Sequence, residues 1–178
     1  MKNTTACFTG HRPEKLPDGG ADGSVLVSAV KSMLLSEINE AVCCGYNRFL
    51  TGMARGVDLW AGAMVADLIG DGVPVSLSAV FPYKGCENRY SEQDGILSQK
   101  ILSAADDVVY VSRGYYKGCM AERNRYLVEH SSRIIAVVTD YSSGTGQTIG
   151  YARKAGLELR IININELLPS DNGQLKMF

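Results

Sequence analysis

The chain has little of what marks metal, redox and secreted proteins. Its 178 residues include only two histidines, His11 and His130, far apart in sequence, which leaves no short-range ligand pair for a transition metal. The five cysteines are odd in number and contain no C-x-x-C pair, so neither a disulfide framework nor a zinc site is indicated. No apolar run approaches the roughly 20 residues that cross a bilayer. The opening Met1-Lys2-Asn3-Thr4-Thr5 leads into a strand-like segment without an apolar leader. A net charge of -1 supplies no global basic field for nucleic acid or an anionic membrane. There is no G-x-S-x-G elbow, and neither histidine has a recognisable serine or cysteine partner, so no nucleophile–base pair stands out. Repeats and low-complexity segments are missing too. The expectation is a cytoplasmic protein with one domain over residues 1–168 and a flexible tail over 169–178, beginning at Pro169.

What is present is an alternation. At 46% hydrophobic, the chain can bury one sizeable core. Strand-like runs occur at Thr4–Thr9, Arg48–Thr51, Pro74–Phe81, Asp107–Val111, Arg133–Thr139 and Leu159–Ile164. Between them lie segments with apolar residues at helical steps, such as Val30, Met33, Leu34, Ile38 and Ala41 behind a Ser24 N-cap. Arg133–Thr139 is almost continuously apolar, as in a strand covered on both faces. Six strands separated by helices predict an α/β, doubly wound, mostly parallel sheet of about six strands flanked by helices.

The unusual residues cluster at one edge of that sheet. Gly10-His11-Arg12-Pro13, Gly52-Met53-Ala54-Arg55-Gly56, Pro82-Tyr83-Lys84-Gly85, Arg113-Gly114-Tyr115-Tyr116 and Ser143-Gly144-Thr145-Gly146 all follow strand carboxyl ends. The opposite connections are short and plain. In such folds the ligand crevice lies outside the carboxyl ends. Two of these turns open helices, where free N–H groups and the positive dipole end favour an anion. At 51–58 there is no P-loop lysine, so phosphate would rest on N–H groups with Arg55 as cation and Asp58 as the nearby acid. The same residues also serve a plain reading, in which the glycines only turn the chain and Asp58 only stabilises its helix. At 144–150 the glycine spacing is one residue too long for a dinucleotide fingerprint, which leaves a generic phosphate or ribose contact from Thr145 and Thr148. Arg12 could reach a phosphate, and His11 could either stack, shuttle protons or tie down its loop. Spacing alone treats Glu122-Arg123-Asn124-Arg125 as a solvated face with a Glu122–Arg125 pair.

In combination, Thr51-Gly52-Met53-Ala54-Arg55-Gly56-Val57-Asp58, Arg123-Asn124-Arg125 and Ser143-Gly144-Thr145, with Ala152 and Gly156 downstream, resemble the SLOG superfamily. That group joins DNA-processing protein A domains, lonely-guy phosphoribohydrolases and YpsA-like proteins. The opening Thr9-Gly10-His11-Arg12-Pro13 is most similar to the YpsA-like branch. The resemblance implies a Rossmann-like fold and a nucleotide-like small-molecule ligand, with no certain cofactor. It places Gly52, Arg55 and Gly56, together with Gly144, Thr145 and Gly146, around phosphate and sugar, with Arg123 and Asn124 beside them. It also implies a homodimer. One departure matters for chemistry: where the lonely-guy enzymes carry a catalytic glutamate, this chain has Thr148, which leaves no evident acid or base. The expected function is therefore a nucleotide-binding or sensor domain. Hydrolysis of an N-glycosidic or phosphoester bond is the alternative, with Asp58, Glu122 or His11 as acid–base candidates. Single-stranded nucleic acid is a third reading, which the charge balance counts against.

Overall fold

The first strand, β1 (Thr5–Gly10), lies in the middle of the sheet, and the chain winds outward from it on both sides. The computed structural model describes residues 2–167; the expected tail at 169–178 lies outside the described residues. After β1 come α1 (Val25–Cys43), β2 (Arg48–Thr51), α2 (Val57–Gly70), β3 (Ser76–Tyr83), α3 (Glu92–Ala104) and β4 (Asp107–Ser112). The chain then crosses back through α4 (Cys119–Glu129) to β5 (Arg133–Val138), and ends in α5 (Gly144–Lys154) and β6 (Glu158–Asn163). The sheet order is β4-β3-β2-β1-β5-β6, with every pairing parallel. Strand order therefore reverses between β1 and β5, and the crevice outside their carboxyl ends is the switch point of a Rossmann-like sheet.

The period-two alternation of β1 divides the core. Ala6 and Phe8 pack with Val30, Leu34, Ile38 and Leu59 beneath α1 and α2, where Phe8 stacks on Phe49 at 5.9 Å. Cys7 faces the other way, toward Leu127 and Val128 of α4 and Ala152 of α5. Helices α1–α3 thus cover one face, and α4 and α5 cover the other. The α2 helix lies between α1 and α3, and it is buried almost all round: its run Val57–Ala63 is entirely buried. The α1 helix starts where its N-cap signal stands, with Ser24 Oγ accepting from Val27 N at 3.3 Å. At the amino end of the sheet, Arg133 is buried against Glu158 (2.9 Å) and Glu40, which ties α1 to β5 and β6. No described helix is long and apolar enough to cross a membrane.

Candidate functional site

The floor of the crevice is an ion pair between the two helical layers. In α4, Cys119, Arg123 and Leu127 follow at steps of four, so Arg123 rides on the buried stripe and is 5% exposed. Its Nη1 donates to Asp58 Oδ2 at 3.1 Å and to the Gly52 carbonyl. Its Nε is buried without a partner among the described residues. Asp58 is held from three sides: Oδ2 also accepts from Ala54 N at 3.4 Å, and the Asp58 carbonyl accepts from Thr51 Oγ1 at 2.7 Å. Burial pushes the Asp58 carboxyl above its ordinary value, while the Arg123 guanidinium pulls it back. The turn that carries Gly52 also holds Met53 at φ 55, a left-handed conformation rare outside glycine. Met53 is buried there, with its carbonyl taken by Tyr90 Oη.

In this structure part of the glycine turn at 52–56 serves the protein's own groups. The Ala54 N–H serves the protein's own Asp58 carboxylate, and the Val57 N–H reaches the His11 carbonyl at 3.5 Å. Gly52 lacks a Cβ because one would overlap the Arg123 guanidinium and stand 2.6 Å from Asp58 Oδ2. Gly56 has φ 85, and a Cβ there would lie 2.7 Å from the His11 carbonyl. Arg55, the expected phosphate cation, is engaged by two carboxylates: Nε donates to Asp94 Oδ2 at 2.9 Å, and Nη1 to Glu14 Oε1 at 2.7 Å. Asp94 also completes the Ser91 capping box of α3. Its carboxyl falls below the usual range: burial raises it, but hydrogen bonds from Ser91 and Arg55 outweigh that.

His11 adopts the loop-tying role. It is 2% exposed, and its Nε2 accepts from Thr139 N at 2.9 Å and from Asp140 N at 3.3 Å. That leaves the proton on Nδ1, facing Thr145 Oγ1 at 3.4 Å. Burial and the nearby Lys15 lower its pKa against the opposing pull of Asp140. A neutral imidazole with both nitrogens engaged stitches the β1 loop to the β5 loop across the switch point. Gly10 lets α2 approach β1, since a Cβ would overlap Val57. Thr148 is fully buried, accepting from Asn124 Nδ2 at 2.8 Å and donating to the Gly144 carbonyl at 2.9 Å. Asn124 and Thr148 therefore join α4 to α5.

Two adjoining hollows open above this floor, sharing Arg12, Met120 and Arg123 as their common wall. One, of about 370 Å³, lies at the switch point and is lined by Thr9, His11, Lys15, Asn124 and the first turn of α5. There Ser143 Oγ caps Gly146 N, while the Gly144 and Thr145 N–H groups have no acceptor among the described residues. The other, of about 90 Å³, is more apolar, with walls of Met53, Pro82, Tyr83, Cys86 and Tyr90, and with Arg55 and Arg89 among its lining residues. Arg12, Lys15 and Arg89 are exposed and have no ion-pair partner among the described residues. Arg89 lies 6.0 Å above the Tyr115 ring, which in turn meets Tyr83 edge-on at 5.6 Å. No three His, Cys, Asp or Glu side chains converge as a metal-ligand set among the described residues.

The structure thus brings Arg12, Arg123, Asn124, Gly144 and Thr145 to the switch-point hollow, and Gly52 and Arg55 to its neighbour. Gly10, Gly56, Asp58, Gly146 and Thr148 stand behind them as packing and hydrogen-bonding partners. Sequence reasoning passed over Lys15, Arg89, Tyr90 and Met120. The signal for Arg89 was its position just past the carboxyl end of β3, in the same edge of loops as the residues that were chosen.

A six-stranded parallel sheet whose order reverses between β1 and β5, with two adjoining hollows along its carboxyl edge, defines a Rossmann-like α/β domain. Residues 6–167 match the profile of the YpsA group, described as the YspA SLOG family. The chain belongs to that family. It is 24% identical over 150 residues to a UPF0398 protein of Enterococcus faecalis, covering 79% of this chain and 82% of that one. It is 28% identical over 141 residues to the SPbeta prophage-derived protein YoqJ of Bacillus subtilis, covering 72% and 82%. Among solved structures, DNA processing protein A from Helicobacter pylori, studied for its single-stranded DNA binding mode, superposes with a TM-score of 0.61 at 18% identity. That likeness is one of fold. It covers 90% of this chain and 65% of the other.

Proposed function

We propose that this domain binds or senses a nucleotide or nucleotide-derived small molecule. The observation that carries the reading is the pairing of two unlike hollows across Arg12 and Arg123. A nucleotide has a compact anion at one end and a flat, weakly polar ring at the other. The phosphate belongs in the switch-point hollow, where the Gly144 and Thr145 N–H groups, Arg12 and Lys15 converge. The sugar also fits in that 370 Å³ hollow, and the base extends toward its smaller, more apolar neighbour, whose 90 Å³ admits part of a ring against Met53, Tyr83 and Met120. Turnover finds little support in these residues. Asp58 lies beneath Arg123, Thr148 replaces the glutamate of the phosphoribohydrolases, and both nitrogens of His11 are engaged.

Native mass spectrometry of freshly purified protein, followed by thermal unfolding with a panel of nucleoside monophosphates, tests the proposal. A ligand at 100 times its Kd stabilises the folded state by about 2.7 kcal/mol. For a domain of this size, that raises Tm by about 5–11 °C at roughly 2–4 °C per kcal/mol. Gly144→Val blocks the approach to the α5 amides and should abolish the shift; an unchanged shift in that variant refutes the placement. The panel is also read by chromatography for free base and free phosphate, which registers hydrolysis. The single-stranded DNA binding of the Helicobacter pylori relative gives a second reading, through the unpaired Arg12, Lys15 and Arg89. That reading requires a gel shift that weakens steeply with salt, and no complex at low salt removes it.

A further inference from the structure

The smaller hollow is lined by four arginines, and three of them are accounted for. Arg123 is paired with Asp58, Arg55 is held by Glu14 and Asp94, and Arg12 also lines the switch-point hollow assigned to the phosphate. Arg89 is left over. It lines the smaller hollow and not the other, is exposed, and has no ion-pair partner among the described residues. Glu87, the nearest acid in sequence, folds back to accept from Gly85 N at 3.1 Å. The backbone around Arg89 is anchored on both sides: Cys86 is buried, and Tyr90 donates its hydroxyl to the Met53 carbonyl. The guanidinium lies 6.0 Å over the Tyr115 ring, a cation–π distance, and Tyr115 meets Tyr83 of the hollow wall edge-on. A fork of donors is thus held beside the hollow without a carboxylate to receive it.

The hollow is correspondingly poor in acceptors. Its lining includes no Asp, Glu, Asn or Gln. The carbonyls of Gly52, Met53 and Ala54 already accept from Arg123, from Tyr90 and from Leu59 N. Burial pushes the Cys86 thiol up to about 11, so it stays protonated, a weak donor. A ring edge that accepts is favoured here, and one that donates is penalised, because an N–H facing the guanidinium goes unpaired. The major-groove edge of a 6-oxopurine offers two acceptors, O6 and N7, to the guanidinium fork, whereas adenine sets its 6-amino donor in place of O6. We propose that the base read in this hollow is a 6-oxopurine, and that Arg89 reads it through O6 and N7. Tyr115 is the positioning residue that holds Arg89 for that contact. The inference rests on the nucleotide reading above and names its base.

Isothermal titration with GMP, IMP, AMP, 7-deaza-GMP and ribose 5-phosphate tests it. GMP and IMP share O6 and N7, so both should bind about 10-fold tighter than AMP, and 7-deaza-GMP should lose most of that preference. Arg89→Met should bring GMP level with AMP and leave ribose 5-phosphate unchanged. Tyr115→Ala should narrow the preference and Tyr115→Phe should keep it, since the ring and not the hydroxyl holds the guanidinium. Equal affinity for GMP and AMP, with ribose 5-phosphate bound, overturns this inference and leaves the nucleotide reading standing. So does an Arg89→Met variant that loses ribose 5-phosphate in step with GMP, which would make Arg89 a phosphate contact. Binding of none of the five overturns both.

Discussion

Gly52→Ala should be among the most damaging methyl additions in this chain, and its cost should vanish when Arg123 is removed. The added Cβ occupies the space of the Arg123 guanidinium and stands 2.6 Å from Asp58 Oδ2. The guanidinium cannot simply retreat, because Nη1 is bonded both to the Gly52 carbonyl and to Asp58. Displacing it breaks a buried pair and strands a carboxylate, a loss of about 3–5 kcal/mol. Arg123→Ala alone should cost a similar amount, moderated as Asp58 takes up a proton. In the Arg123→Ala background the nearest remaining neighbour of the methyl is the Asp58 carboxylate oxygen, released from the guanidinium and able to shift into the space it leaves, so Gly52→Ala should then cost under about 1 kcal/mol. The double-mutant cycle should therefore close with a coupling of about 3 kcal/mol, at the top of the range for contacting residues. Urea unfolding resolves this easily. With a slope near 2 kcal/mol per M, each single variant lowers the midpoint by about 1.5–2.5 M. Costs that add to within about 0.5 kcal/mol would refute the claim that Gly52 exists to admit Arg123.

The α5 glycines should part company. Gly144 has open space where a Cβ would stand, so Gly144→Ala should be neutral or stabilising by about 0.4–1 kcal/mol. At Gly146 the Cβ would overlap the Tyr141 carbonyl, so Gly146→Ala should cost about 3 kcal/mol, the upper end for overpacking. Thermal unfolding of both variants checks the contrast. The depressed pKa of His11 means that the unfolded chain binds the proton more readily than the folded one. Stability should therefore fall as pH drops past about 6.5 toward the lowered folded value. His11→Gln should flatten that slope, and urea midpoints taken from pH 7.5 to 5 would show it; an equal slope in both proteins would deny the neutral, acceptor role.

The fold was legible because its signals are local. Turn residues and apolar periodicity place all six strands to within one or two residues, and Ser24 and Ser143 cap the helices they precede. Strand β3 runs on through Pro82 and Tyr83 along one side only: β2 ends opposite Ala79, which leaves no ladder on that side at Pro82, while Tyr83 still pairs with Ser112 of β4. The ionic chemistry was not legible. The spacing of Glu122 and Arg125 suggests a surface pair, yet Glu122 bonds Tyr116 while Arg123 turns inward to a partner 65 positions away. No window of sequence contains both halves of that contact. Arg55 illustrates the same limit, since Glu14 from the segment after β1 and Asp94 from the first turn of α3 meet it from distant parts of the chain.

The longest motif in the chain packs largely against the protein's own groups, and the switch-point hollow lies beside it. A glycine near a phosphate and a glycine beneath a buried guanidinium look alike in sequence, because both answer to the absence of a Cβ. Coordinates separate them by what fills the vacated space. At Gly10, Gly52, Gly56 and Gly146 that space is taken by Val57, Arg123, the His11 carbonyl and the Tyr141 carbonyl, all atoms of the protein itself. At Gly144 nothing of the protein lies within 4 Å. Its N–H and that of Thr145 have no acceptor among the described residues, and both residues line the hollow that contains Arg12 and Lys15. Of these five glycines, Gly144 is the one whose missing side chain benefits no neighbour in the fold. A substitution there isolates binding from stability, which makes Gly144→Val the cleanest probe of the pocket.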